Sequence, residues 1–349
     1  MEDKYTIPSF RLSLTPEEIG ALCSPLRDGN LCLGTEVRAL EYDFKAYLDK
    51  RHAVAVATGT SALHLSLLAL NIKTGCEVLM PSYVCSAVLN AVRYVNATAV
   101  LCEIAPGGYL IDPEDALRKV TPATGAIIVP EIFGYRADLS PYKNLNLPII
   151  LDRAMSLGSR CDHASASGVE TVSVFSFYAT KVITSGHGGL VATDNDTLAS
   201  RVRDLRAYDK KADGKIRFNY TLTDFQAALA RKQLALLEGR IRRKMEIIET
   251  YSLGINNPRI KCPPVPQGWN GQCFILRVPD GADPFIEHLR QRGITAVRPV
   301  FRPLHAIMDL DSARFRETEQ AWRDIAAIPC FPDLTGEEVS RIIDTVNLY

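Results

Sequence analysis

Between about Val54 and Val191, short β-branched runs alternate with stretches of helical periodicity. Ala53-Val-Ala-Val-Ala precedes a predicted helix from Ser61 to Leu70, and Glu77-Val-Leu-Met precedes one starting near Ser86. Ala99-Val-Leu-Cys, Gly125-Ala-Ile-Ile-Val and Pro148-Ile-Ile-Leu read as further strands. These runs are continuously apolar rather than alternating, so each strand is buried on both faces. The pattern predicts an α/β fold with a mainly parallel sheet covered by helices. Ligands in such sheets bind beyond the carboxyl ends of strands. Thr58-Gly59-Thr60, Pro81-Ser82-Tyr83, Asp152 and the run from Ser173 to Lys181 all fall at that edge.

After Gly214 the pattern changes. A long helix is predicted from Thr223 to about Tyr251, followed by a link containing Pro258, Pro263, Pro264 and Pro266. Beyond it lie a strand (Cys273 to Val278), a helix (Pro284 to Arg292), a loop with Arg298, Arg302 and His305, and a terminal helix from Gly336. The expected division is a large unit over 1–240 and a smaller α+β unit over 241–349. Leu14-Thr15-Pro16-Glu17-Glu18 supplies an N-cap followed by proline in the first turn, and this segment is expected to pack back onto the main body.

Composition narrows the function classes. Lys+Arg and Asp+Glu both number 40, without a long single-sign run, so neither nucleic acid nor an anionic membrane is the expected partner. A small molecule is. The longest apolar stretches are far too short to span a bilayer. The nine cysteines form no C-x-x-C pair and the Met-Glu-Asp-Lys start carries no apolar signal region, so a reduced, cytoplasmic protein is expected, with no metal site.

The richest chemistry lies in Ser173-Val-Phe-Ser-Phe-Tyr-Ala-Thr-Lys181, followed by Ser185-Gly-His-Gly-Gly189. An apolar strand delivers one lysine to a glycine-rich turn. Such a lysine becomes nucleophilic when a desolvated pocket lowers its pKa, and the hydroxyls of Ser176 and Thr180 stand nearby as phosphate donors. The alternative is a solvated loop lysine. Thr58-Gly59-Thr60 joins a strand to a helix whose first N–H groups form an anion site, or simply a capped helix start. His64 fits a packed helical position. Asp152 ends an apolar strand, where a carboxylate needs a partner: a protonated pyridine nitrogen on one reading, Arg153 or another arginine on the other.

Together these segments resemble the DegT/StrS-type family of pyridoxal-phosphate aminotransferases. The resemblance runs from Ser13-Leu14-Thr15-Pro16-Glu17-Glu18 through Tyr47 to Leu70, Pro81-Ser82-Tyr83, Phe175 to Val191 and Arg217-Phe218-Asn219-Tyr220-Thr221-Leu222-Thr223-Asp224-Phe225-Gln226-Ala227-Ala228. It continues to Arg302-Pro303-Leu304-His305 and Ile328-Pro329-Cys330-Phe331-Pro332, covering nearly the whole chain. It implies fold type I and pyridoxal 5'-phosphate as cofactor. The implied reaction moves an amino group from glutamate to a nucleotide-linked keto sugar or related cyclic ketone. Lys181 matches the Schiff-base lysine and Asp152 the partner of the pyridine nitrogen. Gly59, Thr60 and Ser176 match phosphate-binding positions, with Thr58 beside them. Asn219 matches an asparagine reaching the phosphate from the neighbouring subunit, which implies a homodimer with a composite site; otherwise it is a turn residue. Cys85 falls where an aromatic residue covers the ring, with a structural thiol as the alternative. His305, Arg302 and Tyr83 are the expected substrate-side residues; Arg298 is a further anion-binding candidate, and a surface-loop histidine is the alternative for His305.

The sequence also departs from the family pattern. Met155 stands where a glutamine hydrogen-bonds the cofactor's phenolic oxygen, and a thioether cannot donate that bond. Arg153 is a conceivable substitute donor. His187 stands where glutamate is common. These departures keep open a sugar dehydratase, or a cofactor-binding regulator without turnover, although the sugar dehydratases of the family carry histidine in place of the lysine.

Overall fold

Seven strands form the central sheet of the computed structural model, which describes residues 6–29, 31–160 and 171–349. They are β1 (His52–Val56), β2 (Glu77–Pro81), β3 (Thr98–Cys102), β4 (Thr124–Pro130), β5 (Ile149–Asp152), β6 (Val172–Ser176) and β7 (Gly189–Thr193). Their order is β1-β7-β6-β5-β4-β2-β3. β7 runs antiparallel to both of its neighbours and the other pairings are parallel. Because β7 is reversed, it begins at the edge where β1 and β6 end: Gly189 is in register with both Val56 and Ser176.

The helices flanking this sheet are α1 (Pro16–Arg27), α2 (Thr35–Leu48), α3 (Gly59–Ala69), α4 (Ser86–Tyr94), α5 (Pro113–Arg118), α6 (Asp196–Leu205) and α7 (Asp224–Gly254). α3 has almost no polar face, and Ser61 through Leu67 are all buried, as expected of a helix enclosed within the core. It packs with Val54, Val56, Val174 and Val191 of the sheet. α1 opens with the predicted capping box, Thr15 with Glu18, and docks on α7, where the buried Glu18 meets Arg240 at 2.5 Å. Asp224, at the start of α7, is fully buried and accepts from the N–H groups of Gly34, Glu36 and Val37, so one carboxylate caps α2.

The chain then builds a second sheet from β8 (Ile275–Arg277) and β9 (Ile325–Ala327). Around it lie α8 (Ala282–Arg290), α9 (Leu304–Ile307), α10 (Arg316–Asp324) and α11 (Gly336–Asn347), with their own apolar cluster centred on Phe274, Phe285, Phe331 and Ile342. α7 runs uninterrupted through residue 240 and contributes Ile247, Ile248 and Tyr251 to that cluster. Among the described residues, no helix is long and apolar enough to cross a membrane, no group of side chains could hold a metal ion, and the cysteines are free thiols.

Candidate active site

The turn after β1 supplies the first wall. Thr58 caps α3: its hydroxyl accepts from Ser61 N–H at 2.9 Å and its carbonyl from Ala62 N–H at 3.0 Å. The N–H groups of Gly59 and Thr60 have no partner among the described residues, which leaves the start of an enclosed helix open to an anion. Glycine is required here by contact. A Cβ on Gly59 would lie 2.8 Å from the Cβ of Ser176, and one on Gly189 would lie 2.4 Å from the carbonyl oxygen of Thr58. This close approach of α3, β6 and β7 sets the Gly59–Thr60 N–H groups beside Ser176 in one cradle.

Asp152 forms the second wall. Its side chain is buried at the end of β5, beside Pro130 and Val174, and accepts one hydrogen bond, from Ala154 N–H at 3.0 Å. Burial raises its pKa; the Ala154 N–H and the Lys181 charge pull it back, and Glu131 adds to the rise. Arg153 is not the partner: its guanidinium lies 3.6 Å from Glu131, a buried carboxylate that Arg136 also pairs at 2.7 Å. With its Nε turned toward Glu131, Arg153 faces away from the role of the donor missing at Met155. The carboxylate of Asp152 is therefore suited to a cationic ligand group.

Lys181 follows β6 on a tight turn, its N–H bonded to the Tyr178 carbonyl at 2.9 Å. The loop from Thr184 to Gly188 is fastened to Phe177 and to Gln233 of α7. Burial lowers the pKa of Lys181, opposed by Cys85, Asp152 and Cys273, so the amine is shifted toward its nucleophilic form. Cys85 precedes α4 at the mouth of the site; desolvation by surrounding protein raises its thiol pKa, Asp152 adds to this, and Lys181 opposes it. Lys181, Asp152 and Cys85 thus share one electrostatic neighbourhood. Lys181 also opens, with Thr180 and Met155, into a cavity of about 510 Å³ between the first residues, α7 and the strands of the second sheet. The Met155 turn is fixed from behind by Asn270, whose amide donates to the carbonyls of Met155 and Leu157 at 2.9 Å each.

The expected substrate-side residues fall elsewhere. Tyr83 is 1% exposed and packs edge-to-face on Phe133, so its ring is part of the core. His305 is completely buried, neither an open ligand group nor a surface-loop histidine. Its Nε2 lies 2.6 Å from Glu319, its Nδ1 2.7 Å from the Ser82 hydroxyl, and its ring stacks on Phe315. Arg298 is held by Asp283 at 2.8 Å and by the ring and carbonyl of Trp322, so it is not available to a ligand. Arg302 is exposed, outside the cavity wall. Asn219 is exposed on the extended stretch before α7, outside the wall around Lys181 in this single chain. His187 is exposed beside Tyr178, and His64 is packed among Tyr94, Phe218 and Tyr220.

Sequence reasoning missed Lys244, Gln272 and Cys273, which line the same cavity as Lys181. Lys244 could have been found: Leu237, Lys244 and Tyr251 fall on one helical face, so a lysine occupies a position where the pattern demands an apolar residue.

Residues 13–347 match the model of the DegT/DnrJ/EryC1/StrS aminotransferase family. The chain belongs to this family. Among solved structures, S. venezuelae DesV, determined in complex with a ketimine intermediate, is 29% identical over 95% of this chain and 94% of its own, with a TM-score of 0.88. NtdA of Bacillus subtilis, determined with its bound cofactor PMP, is 22% identical over 99% and 85% of the two chains, with a TM-score of 0.87. DesI, determined in the presence of its TDP-sugar product, is 23% identical over 99% and 93%, with a TM-score of 0.89. The enzyme is a pyridoxal-phosphate-dependent aminotransferase of fold type I. The cradle at Gly59, the buried carboxylate of Asp152 and the desolvated amine of Lys181 fit the phosphate, ring nitrogen and aldehyde of that cofactor.

Proposed function

We propose that this aminotransferase takes its amino group from glutamate and delivers it to a keto sugar carried on a nucleotide, or to a related cyclic ketone. The observation that carries this reading is that Lys181, within the electrostatic reach of Asp152, lines a cavity of about 510 Å³, roomy enough for reactants larger than an amino acid. The family membership and the TDP-sugar product of DesI support the sugar acceptor. When bound, the cofactor supplies an electron sink that makes a carbon–hydrogen bond next to nitrogen acidic. The chain supplies the rest. Gly59, Thr60 and Ser176 bind the phosphate through N–H and hydroxyl donors, with Thr58 holding the helix start in place. The ionised Asp152 keeps the ring nitrogen protonated, Lys181 Nζ holds the cofactor and moves the proton, and Cys85 and Met155 bound the site by contact alone. Asn219 completes the phosphate site of a second copy in a homodimer. The expected setting is the cytoplasm.

Borohydride reduction of the cofactor-loaded protein, followed by peptide mass analysis, should place the label on Lys181. Glutamate should bleach the cofactor's visible band, and a panel of keto-sugar nucleotides and cyclitol ketones should restore it. Absence of label on Lys181 overturns the reading. Label without a glutamate response turns it toward the regulator, and loss of water from a sugar without amine transfer turns it toward the dehydratase.

A further inference from the structure

Lys244 is 5% exposed, and its Nζ makes one hydrogen bond, to the carbonyl oxygen of Gln272 at 3.2 Å. No carboxylate among the described residues lies within ion-pair distance of it. An ammonium carries three donors, so a buried one with a single carbonyl is under-used, and burying it unpaired is costly. Burial accordingly lowers its pKa. It faces the same cavity as Lys181, and Cys273 feels both: burial pushes that thiol up to about 12, while Lys244 and Lys181 each pull it down. The other cations of this wall are already spent. Arg11 pairs with Glu338 at 2.7 Å, Arg240 with Glu18, and Arg243 with Glu246 and the carbonyls of Pro332 and Leu334.

We propose that Lys244 is the anion-holding residue of the cavity and takes a carboxylate of the amino donor while Lys181 works on its amino-bearing carbon. The proposal rests on the aminotransferase reading and names a specificity residue for it. A carboxylate supplies the charge and the acceptors that the protein withholds from this ammonium, and Gln272, which donates to the Thr180 carbonyl at 2.9 Å, ties Lys244 to the Lys181 turn.

The test is calorimetric titration of the cofactor-loaded protein with glutarate, a dicarboxylate lacking the amine, and with its neutral diamide. Wild type should bind glutarate in preference to the diamide. Lys244→Met should weaken glutarate by about tenfold or more, the loss of one charge-assisted hydrogen bond, while Lys244→Arg keeps most of the affinity. The visible band from Lys181 should be unchanged in both variants. Equal glutarate affinity in Lys244→Met overturns the proposal. So does a wild type indifferent to glutarate over the diamide, a measurement that stands even where Lys244→Met fails to fold. Failure of wild type to load cofactor on Lys181 overturns the aminotransferase reading instead.

Discussion

On the proposed reading, Asp152 is the single residue that couples the fold to the cofactor. It ends a strand between Pro130 and Val174, where its carboxylate has, among the described residues, one N–H donor and no cation in ion-pair contact. Its folded pKa is raised by burial, so the folded chain holds this proton to higher pH than the unfolded chain does. Below the ordinary carboxylate range both states are protonated and Asp152 costs nothing. As pH rises through that range the unfolded chain ionises first, and the cofactor-free protein loses stability until the raised folded pKa is passed. Asp152→Asn removes this liability: the cofactor-free variant should melt higher than wild type at neutral pH, and the difference should vanish in acid. With pyridoxal phosphate present the order should reverse, because only the carboxylate pairs with a protonated ring nitrogen. Melting curves across pH, with and without cofactor, check both parts. The position of Asp152 after an apolar run was readable from sequence. That Arg153 turns to Glu131 was not, since neighbouring residues in a chain say nothing of which buried charge lies behind the strand.

At the scale of elements, the site depends on three backbones meeting where β1 and β6 end and β7 begins. A methyl on Gly189 would press on the Thr58 carbonyl and on Gly59 N, displacing the cap of α3 rather than a flexible side chain. Gly189→Ala should therefore cost about 2 kcal/mol of stability and weaken cofactor binding together, measured by urea unfolding and by titration of the visible band. His305 works as a strut between elements. It joins the Ser82 turn after β2 to Glu319 on α10, and Ser82 leads directly to Cys85 and α4. His305→Gln should cost about 2 kcal/mol through broken buried hydrogen bonds while leaving the KM for the amino donor unchanged; a raised KM would return His305 to the substrate side. Strands β1 to β5 and helices α3, α4 and α7 were legible because each is short-range pattern: continuous apolar runs, caps and a helical face. The burial of Tyr83 and His305 and the capture of Arg298 by Asp283 and Trp322 were not legible. They depend on contacts between residues far apart in sequence, which motif spacing does not encode.

Across the whole molecule, α7 joins the two hydrophobic cores: its first half covers the large sheet and its second half enters the cluster around Phe274. The stretch just before it, from Arg217 to Leu222, is tied to the large unit through Tyr220, bonded to Ala57 and Arg206, and leaves Asn219 exposed, outside the wall around Lys181. On the proposed reading, a second copy brings its site to this exposed polar residue, whose position matches a phosphate ligand. In a homodimer with such exchange, Lys181 of one subunit and Asn219 of the other serve the same cofactor. Lys181→Ala and Asn219→Ala proteins should each load little cofactor alone. After unfolding and refolding together, each mixed dimer should hold one site with both residues intact and one with neither. Equal mixing makes half of the dimers mixed, so borohydride-stable cofactor should return to about a quarter of the wild-type level. No gain over the average of the separate variants would place Asn219 and Lys181 in the same subunit's site, or Asn219 outside it altogether.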